Sequence, residues 1–243
     1  KKTIEITTKA GYSLICTPDH RVMTQRSWVE AGKLIINQDN IFIQQSAGNF
    51  SKNFDLPATA KNKYNLPAKW NRDLGLVLGW LVGDGWLRTG DKNCRVGFTF
   101  GKDSQEAYNI IEPILQNWYQ GDIKTVQRKR EVKHLSFHSK SFCNWFVETG
   151  VLAVKAEQKR VPESIFTAPK DAVTGFLQGL FSADGTVRTR HDGSKSYWAC
   201  LTSKSKKLLE DVQLLLLQFG IKSNIYDRSR KPRSEMFAYT KKN

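Results

Sequence analysis

Hydrophobic and polar positions alternate at the start of the chain. Thr3-Ile4-Glu5-Ile6-Thr7-Thr8 is followed by Gly11-Tyr12 and then by Ser13-Leu14-Ile15-Cys16-Thr17. A period of two, a glycine turn and a second such run predict a β-hairpin. Ile41-Phe42-Ile43 predicts a further short strand. Over residues 44–70 the pattern dissolves into Ser, Asn and Lys with Pro57 and Pro67, which reads as a linker. Beyond it the period lengthens. Residues 74–82 and 172–182 form short apolar helices, and 104–118 and 205–219 form further helical stretches. Phe98-Thr99-Phe100 and Cys200-Leu201-Thr202 precede the latter two, and strand-like segments rich in Lys and Arg follow them at 123–137 and 225–239. A β-rich opening followed by mixed helices and strands predicts an α+β chain.

The second half of that pattern repeats. Gly75, Gly79, Asp84, Gly85, Arg88 and Thr89 recur 100 positions later as Gly175, Gly179, Asp184, Gly185, Arg188 and Thr189, with Gly83 matched by Ala183. Each unit reads helix, strands, helix, strands, and chance does not preserve six identities and an order of elements. Glycines at i and i+4 share one helix face and let two backbones approach closely. The stripes Gly75/Gly79/Gly83 and Gly175/Gly179/Ala183 therefore predict two helices packed side by side about a pseudo-two-fold axis. Such spacing also dimerises membrane helices, but these segments are too short to span and each ends in Asp.

If the helices are parallel, Asp84 and Asp184 emerge at the same end. Two carboxylates held close repel, so a proton is taken up or a cation neutralises both. A helix C-terminus carries a negative partial charge and gives no relief. Hard divalent cations with oxygen ligands answer the problem best, and Mg²⁺ keeps waters able to act as nucleophile. The alternative is that each Asp makes a simple turn before its glycine.

Charge sharpens this picture. The 243 residues carry 38 Lys+Arg against 23 Asp+Glu, a net +15. Residues 1–60 hold 7 against 5, so +13 of the excess falls on residues 61–243. With 40% hydrophobic residues the chain can bury a core, so a solvated basic tail is excluded. A polyanionic partner follows, nucleic acid before an acidic membrane face or protein. The four cysteines include no CxxC pair, so zinc clusters and a disulfide scaffold are not expected. With no apolar run of membrane-spanning length and no signal peptide, an intracellular protein of the cytoplasm or nucleoid, without a membrane partner, is expected. Arg188 and Arg190 share one strand face, as do Arg128 and Arg130, and Arg228 and Arg230, with Lys231 and Arg233 nearby; Arg88 matches Arg188. Basic antiparallel ribbons of this kind can lie in the DNA major groove.

The segments Val77-Leu78-Gly79-Trp80-Leu81-Val82-Gly83-Asp84-Gly85 and Leu177-Gln178-Gly179-Leu180-Phe181-Ser182-Ala183-Asp184-Gly185 resemble the two motifs of LAGLIDADG homing endonucleases, the second more closely. The spacing is similar to that of single-chain, two-repeat members. The resemblance implies a monomer whose motif helices form the interface between repeats. It also implies that Asp84 and Asp184, with Gly83 and Ala183 beside them, hold the catalytic Mg²⁺, or another divalent ion such as Mn²⁺, over double-stranded DNA. Gln158-Lys159-Arg160-Val161-Pro162 resembles the block that precedes the second motif in intein-borne members, which implies that Lys159 assists near the metals. The equivalent lysine of the second repeat would fall beyond residue 243.

Thr17-Pro18-Asp19-His20, with Trp28-Val29-Glu30-Ala31 and Leu34, resembles the Thr-x-x-His block of inteins and the related hedgehog-type (Hint) fold. There the Thr and His polarise the first scissile peptide, so Thr17 and His20 are the splicing candidates, with host exteins as partners of a full-length precursor. Lys1 stands where splicing needs Cys or Ser, and Lys242-Asn243 lacks the histidine that precedes the terminal Asn, so the chain reads as an incomplete intein. The expected organisation is part of an all-β splicing domain over 1–45, a linker over 46–70, and an endonuclease domain over 71–243 with repeats at about 71–165 and 166–243. Two activities compete: cleavage of DNA at the intein insertion site, and a splicing element whose LAGLIDADG domain binds DNA without cutting it.

Overall fold

The computed structural model describes residues 2–43, 48–58, 63–90, 93–128, 131–189 and 197–227. The chain divides into two compact units, Lys1–Ile43 with Ser223–Asn243, and Gln44–Lys222. The first is made of two stretches of chain, and the second is inserted between them.

In the first unit β1 (Ile4–Thr7) pairs antiparallel with β2 (Ser13–Cys16), with Gly11 at φ 97° in the turn. A second hairpin joins β3 (Arg21–Met23) to β4 (Trp28–Glu30). Strands of three residues are too short to show a period, and the pattern missed them. The strand expected at Ile41-Phe42-Ile43 is not formed: Ile41 makes a single bridge to Thr24. Ser223 N–H donates to the Tyr12 hydroxyl at 3.2 Å and Ile225 N–H to the Ala10 carbonyl at 3.1 Å. The 225–239 segment, expected to continue the second repeat, thus starts against the β1–β2 hairpin; residues 228–243 lie outside those described.

The second unit opens with α1 (Arg72–Asp84), β5 (Gly85–Gly90), β6 (Asn93–Phe100) and α2 (Gln105–Tyr119). It continues through β7 (Lys124–Arg128), β8 (Val132–Phe137), α3 (Lys140–Glu148) and the single turn α4 (Glu163–Phe166). The motif is then restated by α5 (Lys170–Asp184), β9 (Gly185–Thr189), β10 (Tyr197–Leu201) and α6 (Lys206–Gln218). Strands β5-β6-β8-β7 form one antiparallel sheet, and β9 pairs with β10. Side-chain caps start three of the helices: Asn71 accepts from Leu74 N–H, Ser139 from Phe142 and Ser205 from Leu208, each worth about 1 kcal/mol.

Alternation along β6 and β8 sends Phe98, Phe100, Leu135 and Phe137 into the core with Trp80, Phe142, Trp145, Phe146 and Phe176, all of them buried. The supposed linker contributes too. Tyr64, Leu66 and Trp70 are buried in the same core, and Tyr64 stacks on Tyr119 with ring centroids 5.4 Å apart. These large side chains are too widely spaced to show a period, yet each buries enough apolar surface to dock its stretch of backbone. Among the described residues no helix is long and apolar enough to cross a membrane.

Candidate metal site and nucleic-acid face

Helices α1 and α5 meet backbone to backbone along the glycine stripes. A Cβ on Gly75 would lie 2.0 Å from the Ala172 carbonyl oxygen, and one on Gly79 would lie 2.0 Å from that of Phe176. Reciprocally, a Cβ on Gly175 or Gly179 would lie 2.1 Å from the carbonyl oxygen of Arg72 or Leu76. Every contact and its reciprocal differ by 100 in both partners, the signature of a two-fold interface. The pairs advance together along both helices, which are therefore parallel. The third pair tapers: a Cβ on Gly83 would meet the Ala183 Cβ at 2.5 Å.

Both helices end on their aspartates, each followed by a glycine in extended backbone that starts a strand. The glycines are required by close approach, since a Cβ on Gly185 would lie 2.2 Å from the Phe181 carbonyl and one on Gly85 within 2.6 Å of Leu81. An Asp184 carboxylate oxygen lies 3.6 Å from where a Gly83 Cβ would stand. Burial pushes the Asp84 carboxyl up to about 6, the negative field of Asp184 adds to the rise, and Lys159 opposes it. Asp184 is raised by burial and likewise relieved by Lys159. Two half-buried carboxyls raised in this way fit a divalent cation as donor set. Gly83 and Ala183 stand in the last helical turns, whose carbonyls lack intrahelical partners. Among the described residues no third His, Cys, Asp or Glu joins the pair, so a cation there would draw its remaining oxygens from carbonyls, water or a bound phosphate.

Lys159 reaches this site from the loop before α4. Its Nζ donates to the carbonyls of Gly83 at 2.6 Å and Gly85 at 3.4 Å, on either side of Asp84. The Gly83 oxygen thus already has a cationic partner. Burial lowers the Lys159 pKa, while Asp184 and Asp84 hold it up.

One face of the four-stranded sheet is basic. Arg88 is exposed on β5, opposite Arg95 of β6, with its guanidinium carbon 5.2 Å from the Trp86 ring centroid. Lys124 lies on β7 opposite Ser136. Burial and the positive field of Arg95 and Lys124 lower the pKa of His138, which gathers these groups on one surface. Arg95 and Lys124 were missed in sequence; the signal was alternation along β6 and β7. Arg188 is exposed on β9 opposite Trp198. Arg128 ends β7 opposite Val132, whereas Arg130, Arg190, Arg228, Arg230, Lys231 and Arg233 lie outside the described residues. In the first unit Thr17 and His20 share one tight turn, closed by His20 N–H on the Thr17 carbonyl at 3.0 Å, with the His20 side chain exposed.

Residues 171–240 match the family described as the LAGLIDADG-like domain. That match begins within α5 and runs on past Lys222. The second repeat is LAGLIDADG-like in sequence. The chain is 27% identical over 241 residues to the ribonucleoside-diphosphate reductase NrdEB subunit alpha of Bacillus subtilis (strain 168), covering 93% of this chain and 20% of that protein. It is 28% identical over 267 residues to the tRNA-splicing ligase RtcB of Pyrococcus abyssi, covering 94% of this chain and 29% of that protein. The chain thus spans less than a third of each of these relatives. A solved structure of mesophilic variants of the homing endonuclease I-DmoI is 18% identical, covering 62% of this chain and 78% of the other, with a TM-score of 0.44.

Proposed function

We propose that this chain is an intein-borne, site-specific homing endonuclease that makes divalent-metal-dependent double-strand breaks in DNA. The observation that carries the reading is the convergence of Asp84 and Asp184 at the shared end of two parallel helices, with both carboxyls raised. Mg²⁺ or Mn²⁺ held by Asp84 and Asp184 beside Gly83 and Ala183 would supply Lewis-acid activation of water and neutralise charge at the scissile phosphates. Lys159 brings a positive charge to the same end, where it can stabilise charge developing on phosphate. Arg88 and Arg188, on the strands that leave the helix ends, and Arg95 and Lys124, on β6 and β7, offer phosphate and base-edge donors. Both repeats lie in one chain, which supports a monomer.

Two further observations support the intein context. A reductase subunit and an RNA ligase share no chemistry, yet both resemble nearly all of this chain over a minor part of their length. An element inserted into unrelated hosts has that distribution. The β unit made of two chain stretches around an inserted unit suits a splicing domain that carries an endonuclease, with Thr17 and His20 as its candidate catalytic pair and the exteins as its partners.

The test is incubation with a duplex that joins the coding sequences flanking this chain in its gene, in Mg²⁺ or in EDTA. A double-strand break in Mg²⁺ and none in EDTA is expected. Tight binding without cleavage would favour a splicing element that only binds DNA, and absence of binding would reject both readings.

A further inference from the structure

Lys159 lies on a loop, and a four-carbon side chain on a loop does not by itself hold an ammonium at one point. The structure ties this loop to α6 at three consecutive residues. Ser205 Oγ, which also caps α6, donates to the Lys159 carbonyl at 2.7 Å. The Asp211 carboxylate accepts from Arg160 Nε at 2.6 Å, from Arg160 Nη2 at 2.7 Å and from Val161 N–H at 3.2 Å. Asp211 keeps 6% of its side-chain surface exposed against 46% for Arg160, so the carboxylate is the fixed member of the pair. A bidentate charge-assisted pair is both strong and directional. From this anchored backbone the Lys159 side chain spans to the Gly83 and Gly85 carbonyls around Asp84. A helix of the second repeat thereby sets where a cation stands at the carboxylate of the first.

We propose that Asp211 and Ser205 are positioning residues that hold Lys159 in register with the paired aspartates, by clamping residues 159–161 onto α6. This rests on the endonuclease reading for its effect on cleavage, but the geometry of the clamp can be tested without it.

The test uses the full chain with Asp211→Asn, Arg160→Gln and Ser205→Ala, each alone and combined with Lys159→Ala. In metal-free protein, well below melting, reductive methylation of Lys159 is followed by peptide mass spectrometry relative to Lys206, whose side chain is 79% exposed. Release of the clamp should raise the Lys159 labelling rate several-fold with Lys206 unchanged. In Mg²⁺, single-turnover cleavage of the joined-flank duplex should fall by about tenfold to a hundredfold, the scale of a small misplacement, while DNA affinity without divalent cation holds. In the Lys159→Ala background the clamp variants should add nothing, because residues that act through one group are not additive. Unchanged labelling overturns the proposal, as does a cleavage loss that multiplies with that of Lys159→Ala. If Asp211→Asn does not fold, Arg160→Gln decides, since it removes the half-exposed partner and leaves Asp211 bonded to Val161. If the unaltered chain cuts no DNA the endonuclease reading fails, and the labelling result alone upholds or rejects the clamp.

Discussion

The two motif helices are alike on one face and unlike on the others. Along their contact, α1 and α5 repeat one geometry at an offset of 100: Gly75, Gly79, Gly175 and Gly179 each face a carbonyl of the other helix, Gly83 meets the Ala183 Cβ, and each helix ends in Asp followed by Gly. Elsewhere they diverge. Every residue of α1 from Leu74 to Gly83 is buried, whereas α5 leaves Gln178 and Ser182 exposed. Trp80 stacks on Phe100 at 4.9 Å and donates its ring N–H to the Thr99 carbonyl, so α1 is enclosed by its own sheet. Its counterpart Leu180 is buried against α1 instead of a large aromatic. The shared face is held to symmetry because backbone touches backbone along it, and this brings the two carboxylates out at one end. The outer faces answer only to their local surroundings. The two motifs accordingly differ in their middle, where Trp80 and Val82 of α1 stand at the places of Leu180 and Ser182 in α5.

The harshest way to break the symmetric face is Gly79→Leu or Gly179→Leu. The first atom of either side chain would enter a backbone carbonyl, so each should cost at least about 3 kcal/mol, the upper end of ordinary overpacking. Thermal melts check this, with Gly90→Ala as control, because nothing lies within 4 Å of a Cβ there. A stable Gly179→Leu would show that the stripes do not meet. The asymmetric faces are compared by Leu78→Ala and Gln178→Ala at equivalent positions. Leu78 is fully buried, so its loss should cost about 2–5 kcal/mol. Exposed Gln178, bonded to Arg72 Nη2 at 2.9 Å, should change denaturant stability by under about 0.5 kcal/mol. Equal costs would erase the distinction.

Much of the shared face was legible because it obeys two rules at once, a spacing of four and a repeat of 100. The α1–α5 contact, the convergent aspartates and the β1–β2 hairpin all carry period. What escaped carries none. Tyr64, Leu66 and Trp70 are isolated large residues in a polar stretch, and only their burial in the second unit distinguishes them from a linker. The Arg160–Asp211 pair spans 51 residues, and no local pattern announces it. Arg95 and Lys124 alternate along β6 and β7, but only strand pairing brings them onto one face with Arg88. The turn from a β unit into an inserted unit and back at Ser223 is likewise a matter of topology, not of composition.

A smaller effect appears in the pH dependence of stability. Asp84 titrates near 6 in the folded chain against an ordinary value of 3.8, so the folded state binds its proton more tightly than the unfolded state. Its contribution is fully present below about pH 4 and is lost as pH rises through about 6. Discounted for its partial exposure, the loss is about 1 kcal/mol. Without divalent cation, Asp84→Asn should melt with wild type at pH 4 and above it at pH 7.5. Added Mg²⁺ at pH 7.5 should raise the wild-type melting temperature more than that of the mutant, because binding to the folded state stabilises it. Parallel melting curves for wild type and mutant across this range would contradict the raised carboxyl.

The most direct measurement sets Asp84→Asn beside Asp184→Asn on the joined-flank duplex in Mg²⁺, with cleavage and binding measured on the same preparations. Either change removes one of two carboxylates at a shared site, whereas on the proposed function the affinity for DNA would come mainly from phosphate contacts elsewhere. Both mutants should therefore lose double-strand cleavage while their Kd stays within about tenfold of wild type, roughly 1.4 kcal/mol. Full double-strand cleavage by either single mutant would contradict the paired site.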